Sequence, residues 1–580
     1  MTLIFDIEAD NLLYDITKVW CIVAYDPDLD KTYTYDHTEI DEALDLLMSA
    51  DVLIGHNIIG YDLPALSKVH PKFKYNGIIF DTLVLSRIRY PLLQSHSLGA
   101  WGDRLKLPKT GHTDFSYFSP EMLEYCVNDV KVSTELWKHL DNVMDVNKPW
   151  ITLEQEVLRI QTKAEEFGVC FDYHQACKLI MDIQCEMETI NSKAQEVLGL
   201  NREPYTTKLK KDGKPNVHAQ KKIDMGYEYR VCHEKCIVYV TTPITLDTKK
   251  LLIDRLLVLG WKPMWTTEKG MPQIARKGEP CPNLSSIEGL NGLDIGKYFV
   301  LKHRLSLLQG MLKNVRADGR IPSEANTLGA ITGRYTHRKI ANLPAVRSLY
   351  GKEIRALFGV EKGRVQVGSD LAGIEARMLA HFMGDDDYTR EVVDGDIHTA
   401  NQQAAGLPTR DSAKTFFYGF LYGAGDAKVG ELVNGGREEG AKIKQQFLDS
   451  LPSLSALIEE KQNEAKKGYV TSLDGRPVKI TKTNGLYDTR KALNSLLQSS
   501  ATIYFKQWVV FIDKLLTELN LDATIMILYH DEVQISVNID HVDGVKSVLR
   551  QALEMTDKHF KVRCPNDIDI KTGKNWEDCH

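Results

Sequence analysis

Apolar positions along the chain fall into two rhythms. Residues 2–7 and 19–25 are short, dense apolar runs of strand length, and 52–55 and 78–85 are further apolar stretches. Residues 41–50 and 120–143 carry apolar side chains at helical spacing, the second behind a Ser119-Pro120 start signal. Strands alternating with helices predict an α/β domain with a mixed sheet over residues 1–150, bounded near Lys148-Pro149. Residues 153–200 predict two helices broken at Gly168. Residues 202–222 lack apolar periodicity and read as a mobile loop, and 285–315 is helical again. Beyond that helices alternate with strands, including a strand at 364–370 and a hairpin across 523–537. No internal repeat is visible.

At about 150 residues per domain, 580 residues suggest roughly four domains. A hydrophobic content of 43% with 26% charged residues is that of a soluble globular protein, and no apolar run reaches the roughly 18 residues of a membrane helix. No secretory leader is expected, and the ten scattered cysteines are expected to be reduced thiols. The net charge of −7 hides a split: residues 1–150 carry 13 basic and 23 acidic side chains, a net of −10, and the remainder stands at +3. Seven basic residues lie between 202 and 222 against Glu203 and Asp212. An acidic first part beside a more basic remainder fits a metal-binding domain joined to a polyanion-binding one. The absence of G-x-x-x-x-G-K-[ST] argues against a P-loop ATPase or helicase.

Asp6 and Glu8 sit two apart in a strand and leave by the same face. Tyr125 and Asp129 sit four apart on a helix and share a face as well. Between them His56-Asn57-x-x-x-Tyr61-Asp62 follows a strand, which puts Asp62 at a strand-to-helix junction. Carboxylates converging on one point repel unless cations lie there. Two divalent ions about 3.5–4 Å apart would neutralise them and clamp the attacking and leaving oxygens of a phosphodiester, with Tyr125 placed to position a water. The ordered set D-x-E, N-x-x-x-Y-D, Y-x-x-x-D resembles the proofreading 3′–5′ exonuclease family, on a ribonuclease H-like fold.

Farther on, Asp370 ends an apolar strand and Tyr529-His530-Asp531-Glu532-Val533 lies at the turn of a hairpin. Arg410, Lys414, Tyr418 and Tyr422 recur every four residues, one stripe on a helix that rises about 18 Å, close to the length of an extended nucleoside triphosphate. The cations occupy its N-terminal end, where the dipole also favours anions. These segments resemble motifs A, B and C of family A DNA polymerases: D-x-x-x-x-E at Asp370 and Glu375, R-x-x-x-K-x-x-x-Y-x-x-x-Y-G from Arg410, and H-D-E at His530, Asp531 and Glu532. Thr332-Gly333-Arg334, Gly395-Asp396-Ile397-His398, and Arg490, Asn494 and Gln498 match further family segments. The stretches 394–399, 410–425 and 575–580 resemble replicative enzymes of short-tailed phages.

The resemblance implies an α/β multidomain chain: a ribonuclease H-like 3′–5′ exonuclease domain at 1–150, then a right hand with a thumb at 151–315 containing a basic loop at 200–245, palm at 316–382 and 494–580, and fingers at 383–493. It implies primer-dependent, template-directed DNA synthesis from dNTPs with proofreading. Asp370 and Asp531 would hold two Mg2+ ions, with Mn2+ as a substitute; Glu532 and His530 would be accessory. Asp6, Glu8, Asp62 and Asp129 would hold metal in the exonuclease, beside Tyr125. Arg410, Lys414 and His398 would bind triphosphate, Lys414 protonating the leaving group. Tyr422 would support the nascent pair, Tyr418 would bind the nucleotide with a hydroxyl able to stand in for a missing 3′-hydroxyl, and Glu375 would exclude a 2′-hydroxyl. Arg334, Arg490, Asn494, Gln498, His530, Lys208, Lys210 and Lys211 would contact DNA. Expected partners are primer-template DNA, dNTPs, and a phage helicase-primase or single-stranded DNA-binding protein, in the cytoplasm of an infected bacterium, with no membrane. Thioredoxin is not expected, because the basic stretch is shorter than the insertion of thioredoxin-using relatives. The alternatives are a single-subunit RNA polymerase-like enzyme and a non-catalytic DNA-binding remnant. Cys232-His233-x-x-Cys236 offers one close thiol pair without a second, a weak zinc signal.

Overall fold

The computed structural model describes residues 1–107, 111–267, 269–276, 279–290, 292–433 and 435–579; His580, the end of the 575–580 stretch singled out above, lies outside them. The chain divides into two compact units. One holds residues 1–171, 316–342 and 358–580, the other 172–315 and 343–357.

The first unit opens with a five-stranded mixed sheet in the order β3-β2-β1-β4-β5, formed by β1 (Thr2–Ala9), β2 (Val19–Asp26), β3 (Lys31–Asp36), β4 (Val52–Gly55) and β5 (Ile78–Asp81). β1 runs antiparallel to β2 and parallel to β4. One face of β1, through Leu3, Phe5 and Ile7, packs with α1 (Ile40–Ser49) and α2 (Asp62–Val69). The opposite face carries Asp6 and Glu8, set across from Val23 and Cys21. It is covered by α5 (Pro120–Val143), through Met122, Cys126 and Val130. α5 begins where the sequence indicates: Pro120 tolerates the first helical position, and the Ser119 hydroxyl accepts the Met122 N–H at 3.2 Å. The remaining helices here are α3 (Thr82–Arg89) and α4 (Leu98–Leu105).

α6 (Pro149–Phe167) is buried from two sides. Leu153, Val157, Ile160 and Ala164 belong to the largest core, whereas Leu158 packs with Ile59 and Val84. Gln155 accepts the Asp81 N–H at 2.8 Å and donates to the Ile79 carbonyl at 3.0 Å. The division into units differs from two expected boundaries. The residues from 151 to the end of α6 lie with the larger unit rather than with a thumb, and residues 343–357, expected in the palm, lie in the smaller unit.

The largest core surrounds an antiparallel sheet of the strands Ala523–Tyr529, Glu532–Asn538, Arg364–Leu371 and Ile568–Gly573, in that spatial order. The Ala492–Glu518 helix contributes Tyr504, Phe505, Trp508 and Val509, all fully buried, each aromatic removing an area that contributes about 1.5–3 kcal/mol.

In the second unit the Tyr173–Leu198 and Gly292–Leu312 helices pack together. Residues 202–222 are not a mobile loop. Leu200–Lys208 is a strand on the edge of a three-stranded sheet whose centre is Lys235–Pro243, and Val217–Asp224 is a helix capped by Asn216. Tyr205 and Leu209 point toward a small core of Ala219, Cys236 and Val238. A strand that turns Tyr and Thr inward shows too little aliphatic alternation to be seen in the sequence. The helix expected at 285–315 runs over Gly292–Leu312, after a short 3-10 turn at Pro282–Ser286.

Candidate functional site

Two groups of carboxylates stand out, both in the first unit. In the N-terminal group, Asp62 opens α2 with its carboxylate buried, and accepts the Ile7 N–H at 3.2 Å, between Asp6 and Glu8 on β1. Its carboxyl is pushed up to about 7, chiefly by burial, with Asp81 and Asp129 adding like charge. Asp129 sits buried on the inner face of α5. Asp6, Glu8 and Cys126 offer ligand atoms within 4.8 Å of one another, the one such group among the described residues. Tyr125 lies on α5 beside the His112 and Phe115 rings, at 6.0 and 6.2 Å. Asp6 and Glu8 thus share the α5-covered face of β1 with Cys126, Asp62 is tied to β1 through the Ile7 N–H, and Asp129 lies near enough to act on the Asp62 charge. Burial, with like charge nearby, raises the Asp62 proton affinity, a cost that a divalent cation relieves, so Asp6, Glu8 and Asp62 fit as metal donors.

Sequence reasoning missed Asp81 and Cys126. Asp81 is fully buried, caps α3, and accepts the N–H groups of Asn57, Ile59 and Leu83 at 2.9–3.1 Å. It fixes the loop that leads to Asp62. Its signal was a lone acid at the end of a strand, which no motif marks. Cys126 was hidden by reading α5 as Y-x-x-x-D; its Sγ lies 3.8 Å from Asp6 Oδ2.

In the second group, antiparallel register places Glu532 and Asp569 on either side of Asp370. The hairpin turn is two residues long, and His530 holds φ at +59°, the conformation such turns demand of a central position. The Leu371 N–H donates to the Asp531 carbonyl at 3.2 Å, which fastens the turn to the end of the Asp370 strand. Burial pushes the Asp370 carboxyl up to about 8, with Asp531, Glu532 and Asp569 pushing the same way. Asp531 rises to about 6, again mainly by burial, with Arg334 opposing. Glu532 is buried and accepts from Trp576 Nε1 at 2.6 Å and from the Gln534 amide. Trp576 therefore braces the hairpin through Glu532. Asp569 is the acid the sequence reading missed; it was legible only as the polar beat of Ile568-Asp569-Ile570.

The helix Arg410–Leu421 is capped by a reciprocal Thr409–Ser412 pair. Arg410 forms a two-pronged ion pair with Asp396, at 2.6 and 3.0 Å, which holds the Asp396 carboxyl well below the usual range. His398 lies 5.9 Å from the Tyr418 ring, and burial with the Lys414 and Arg410 charges lowers its pKa. Tyr418 is raised by burial and by the Glu375 and Asp531 charges, so the C-terminal half of this helix lies toward those carboxylates. At its end the Tyr422 hydroxyl donates to Glu375 Oε2 at 2.8 Å and is pushed up to about 12, mainly by burial. Arg334 holds the other oxygen of Glu375. Asn494 and Gln498 share the partly exposed face of the Ala492–Glu518 helix, while Arg490, one turn earlier, is exposed and held by Asp488 at 2.9 Å. His530 packs edge-on to His337 at 5.6 Å. Lys208, Lys210 and Lys211 lie in the second unit, exposed. Cys232 Sγ is 3.2 Å from His233 Nδ1, but Cys236 is buried in the small core, and the described residues form no metal-ligating group there.

An aspartate on a central strand beside another in the adjoining hairpin turn, with a cation-bearing helix in the same unit, is an arrangement suited to metal-dependent nucleotide chemistry. The chain belongs to DNA polymerase family A: residues 292–578 match the model "DNA polymerase family A", and the full-length match below extends this over the whole chain. It is 30% identical to the DNA-directed DNA polymerase of Enterobacteria phage T3 and 29% identical to that of Escherichia phage T7, covering 100% of this chain and of each relative. It is also 26% identical to DNA polymerase I of Lactococcus lactis over 47% of this chain and 33% of that one. Among solved structures, the POL domain of Pol1 from M. smegmatis, in complex with DNA primer-template and dNTP, superposes with a TM-score of 0.78 at 18% identity, covering 100% of this chain and 96% of that one. The RNA polymerase-like and non-catalytic alternatives are not favoured. Enzymes of this family depend on divalent metal. No helix among the described residues is long and apolar enough to cross a membrane.

Proposed function

We propose that the chain copies a primed DNA template with dNTPs at the Asp370–Asp531 site and removes mispaired 3′ ends at the Asp6–Glu8–Asp62–Asp129 site, in the cytoplasm of a phage-infected bacterium. The observation that supports this reading most strongly is the antiparallel register that sets Asp370 beside Glu532, with the Leu371 N–H bond to the Asp531 carbonyl holding the hairpin turn against the end of the Asp370 strand. Asp370 and Asp531 would hold two Mg2+ ions, or Mn2+, which when bound lower the pKa of the primer 3′-hydroxyl and stabilise the leaving oxygens. The chain's own residues do the rest. Arg410, released from Asp396, and Lys414 and His398 bind the triphosphate, and Lys414 donates a proton to the departing pyrophosphate. Glu375, clamped by Tyr422 and Arg334, closes the space a 2′-hydroxyl would need. Arg334, Arg490, Asn494, Gln498 and His530 line the path of the paired strands, and Glu532 steadies the hairpin. In the exonuclease, Tyr125 orients the attacking water. Residues 383–493 serve as fingers, the strands around Asp370 as palm, and the second unit as thumb, with Lys208, Lys210 and Lys211 gripping duplex phosphates without thioredoxin.

The test is a separation of functions on a primed template. Asp531→Ala is expected to abolish extension and keep 3′–5′ hydrolysis; Asp6→Ala with Glu8→Ala is expected to do the reverse. Loss of both activities from either change, in folded protein, would overturn the two-site reading.

A further inference from the structure

Four charged side chains lie together in the interior, away from both carboxylate groups. Lys506, in the Ala492–Glu518 helix, is 0% exposed; its Nζ donates to Glu154 Oε2 at 2.6 Å and to the Thr327 carbonyl at 2.8 Å. Glu154, in the first turns of α6 and also 0% exposed, takes the Arg476 guanidinium on its other oxygen. Arg476 in turn donates to Asp474 at 2.8 Å. The Lys506 ammonium also lies over the Tyr335 ring, 5.5 Å from its centre. Two cations and two anions balance. Replacing such a buried set with apolar side chains of similar volume is often neutral or stabilising, so stability alone is a weak reason for it.

What the set touches supplies a better reason. Thr327 leads into a tight turn: the N–H groups of Gly329 and Ala330 donate to the Arg334 carbonyl at 3.0 and 3.1 Å, and the Gly333 N–H donates to the Ala330 carbonyl at 2.8 Å. Gly333 has φ of +77°, and a Cβ built there would lie 3.9 Å from Lys506 Nζ. The turn therefore rests on the ammonium at its entry, at Gly333 and at Tyr335, on either side of Arg334. Arg334 in turn holds Glu375.

We propose that Lys506 is a positioning residue for DNA synthesis: through the Thr327 carbonyl and the Tyr335 ring it fixes the turn that aims Arg334 at Glu375, and Glu154 holds Lys506 in place for this. The proposal rests on the polymerase reading of the Asp370–Asp531 site. It makes α6, which also carries the contacts to β5, part of the support for sugar selection.

The experiment measures insertion of a dNTP against the matching rNTP on a primed oligonucleotide, with 3′–5′ hydrolysis of a single-stranded oligonucleotide as the control. Lys506→Met is expected to raise the dNTP KM more than it lowers kcat, and to reduce discrimination against rNTP about ten-fold, the scale of one weakened charge-assisted hydrogen bond. Hydrolysis of the single strand should stay at the wild-type rate. Glu154→Gln with Lys506→Met leaves no unpaired buried charge; it is expected to regain the melting temperature but not the discrimination, and it carries the measurement if Lys506→Met alone does not fold. Wild-type discrimination in either folded variant would overturn the proposal, as would discrimination that returns together with stability. If Glu375→Ala leaves discrimination intact, the reading of the polymerase site itself falls, and the proposal with it.

Discussion

Asp370 carries a proton at pH values where an ordinary aspartate has lost it. Its folded pKa of about 8 stands above the ordinary 3.8, so the folded protein binds this proton more tightly than the unfolded chain. The contribution to stability is complete below about pH 4 and is lost as pH rises through about 8. Protein stripped with EDTA should therefore lose melting temperature across that window, and Asp370→Asn should flatten the loss. A scanning calorimeter reads both, and identical slopes in the two proteins would exclude Asp370 as the cause. Added Mg2+ should raise the melting temperature more near pH 8 than near pH 6, because below its pKa the carboxyl must release a proton to bind the ion. A second expectation concerns Tyr418, whose hydroxyl sits near Glu375 and Asp531. That hydroxyl can replace the missing 3′-hydroxyl of a dideoxynucleotide. The wild type should then insert dideoxynucleotides readily, and Tyr418→Phe should lower their insertion by tens-fold, the scale of a polar group left without its partner. Strong rejection by the wild type would contradict this role.

Elements differ in how much of them the sequence displays. The start of α5 is written in Ser119-Pro120, and its inner face in the spacing of Met122, Cys126 and Val130, so Tyr125 and Asp129 could be placed on one helix from spacing alone. The hairpin around Asp531 was equally legible, because two apolar runs flank a short polar turn. The fastening of that turn was not: the Leu371 N–H bond and the support from Trp576 join segments far apart in the chain. Asp81 and Asp569 escaped for the same reason, since each is a single acid whose meaning comes from neighbours brought in by the sheet. The strand Leu200–Lys208 escaped because its inward side is Tyr and Thr rather than aliphatic. Being a strand followed by a closed turn, in which Lys210 N–H donates to the Lys214 carbonyl at 2.8 Å, it presents its lysines as a fixed group. Changing Lys208, Lys210, Lys211 and Lys214 to Gln should weaken duplex binding and reduce the slope of log K against log salt by about 0.9 for each phosphate that is no longer neutralised. An unchanged slope would show that these lysines face only solvent.

On the scale of the whole molecule, the N-terminal α/β part and the sheet that bears Asp370 fall in one compact unit. α6 is the reason, with one side in the large core and the other against β5. The two parts are therefore expected to unfold in one calorimetric transition. Leu158→Ala, which opens a cavity on the β5 side, should cost about 2–5 kcal/mol and lower that shared transition. An early, separate melting of the N-terminal part would show that α6 does not couple them. The sequence suggests a boundary near Lys148-Pro149, yet residues on both sides of it fall in one compact unit; their joining is hidden because amphipathic spacing reveals one buried face and α6 has two.

The ion pair between Arg410 and Asp396 gives the nucleotide helix a tethered competitor. A carboxylate on the same chain acts at an effective concentration in the millimolar range, so a small anion that offers only one contact gains little by displacing it. A triphosphate could, if Lys414 and His398 engage it at the same time as proposed above. On the proposed reading, Arg410 is thus occupied by the protein's own acid until a ligand arrives that engages Lys414 and His398 as well.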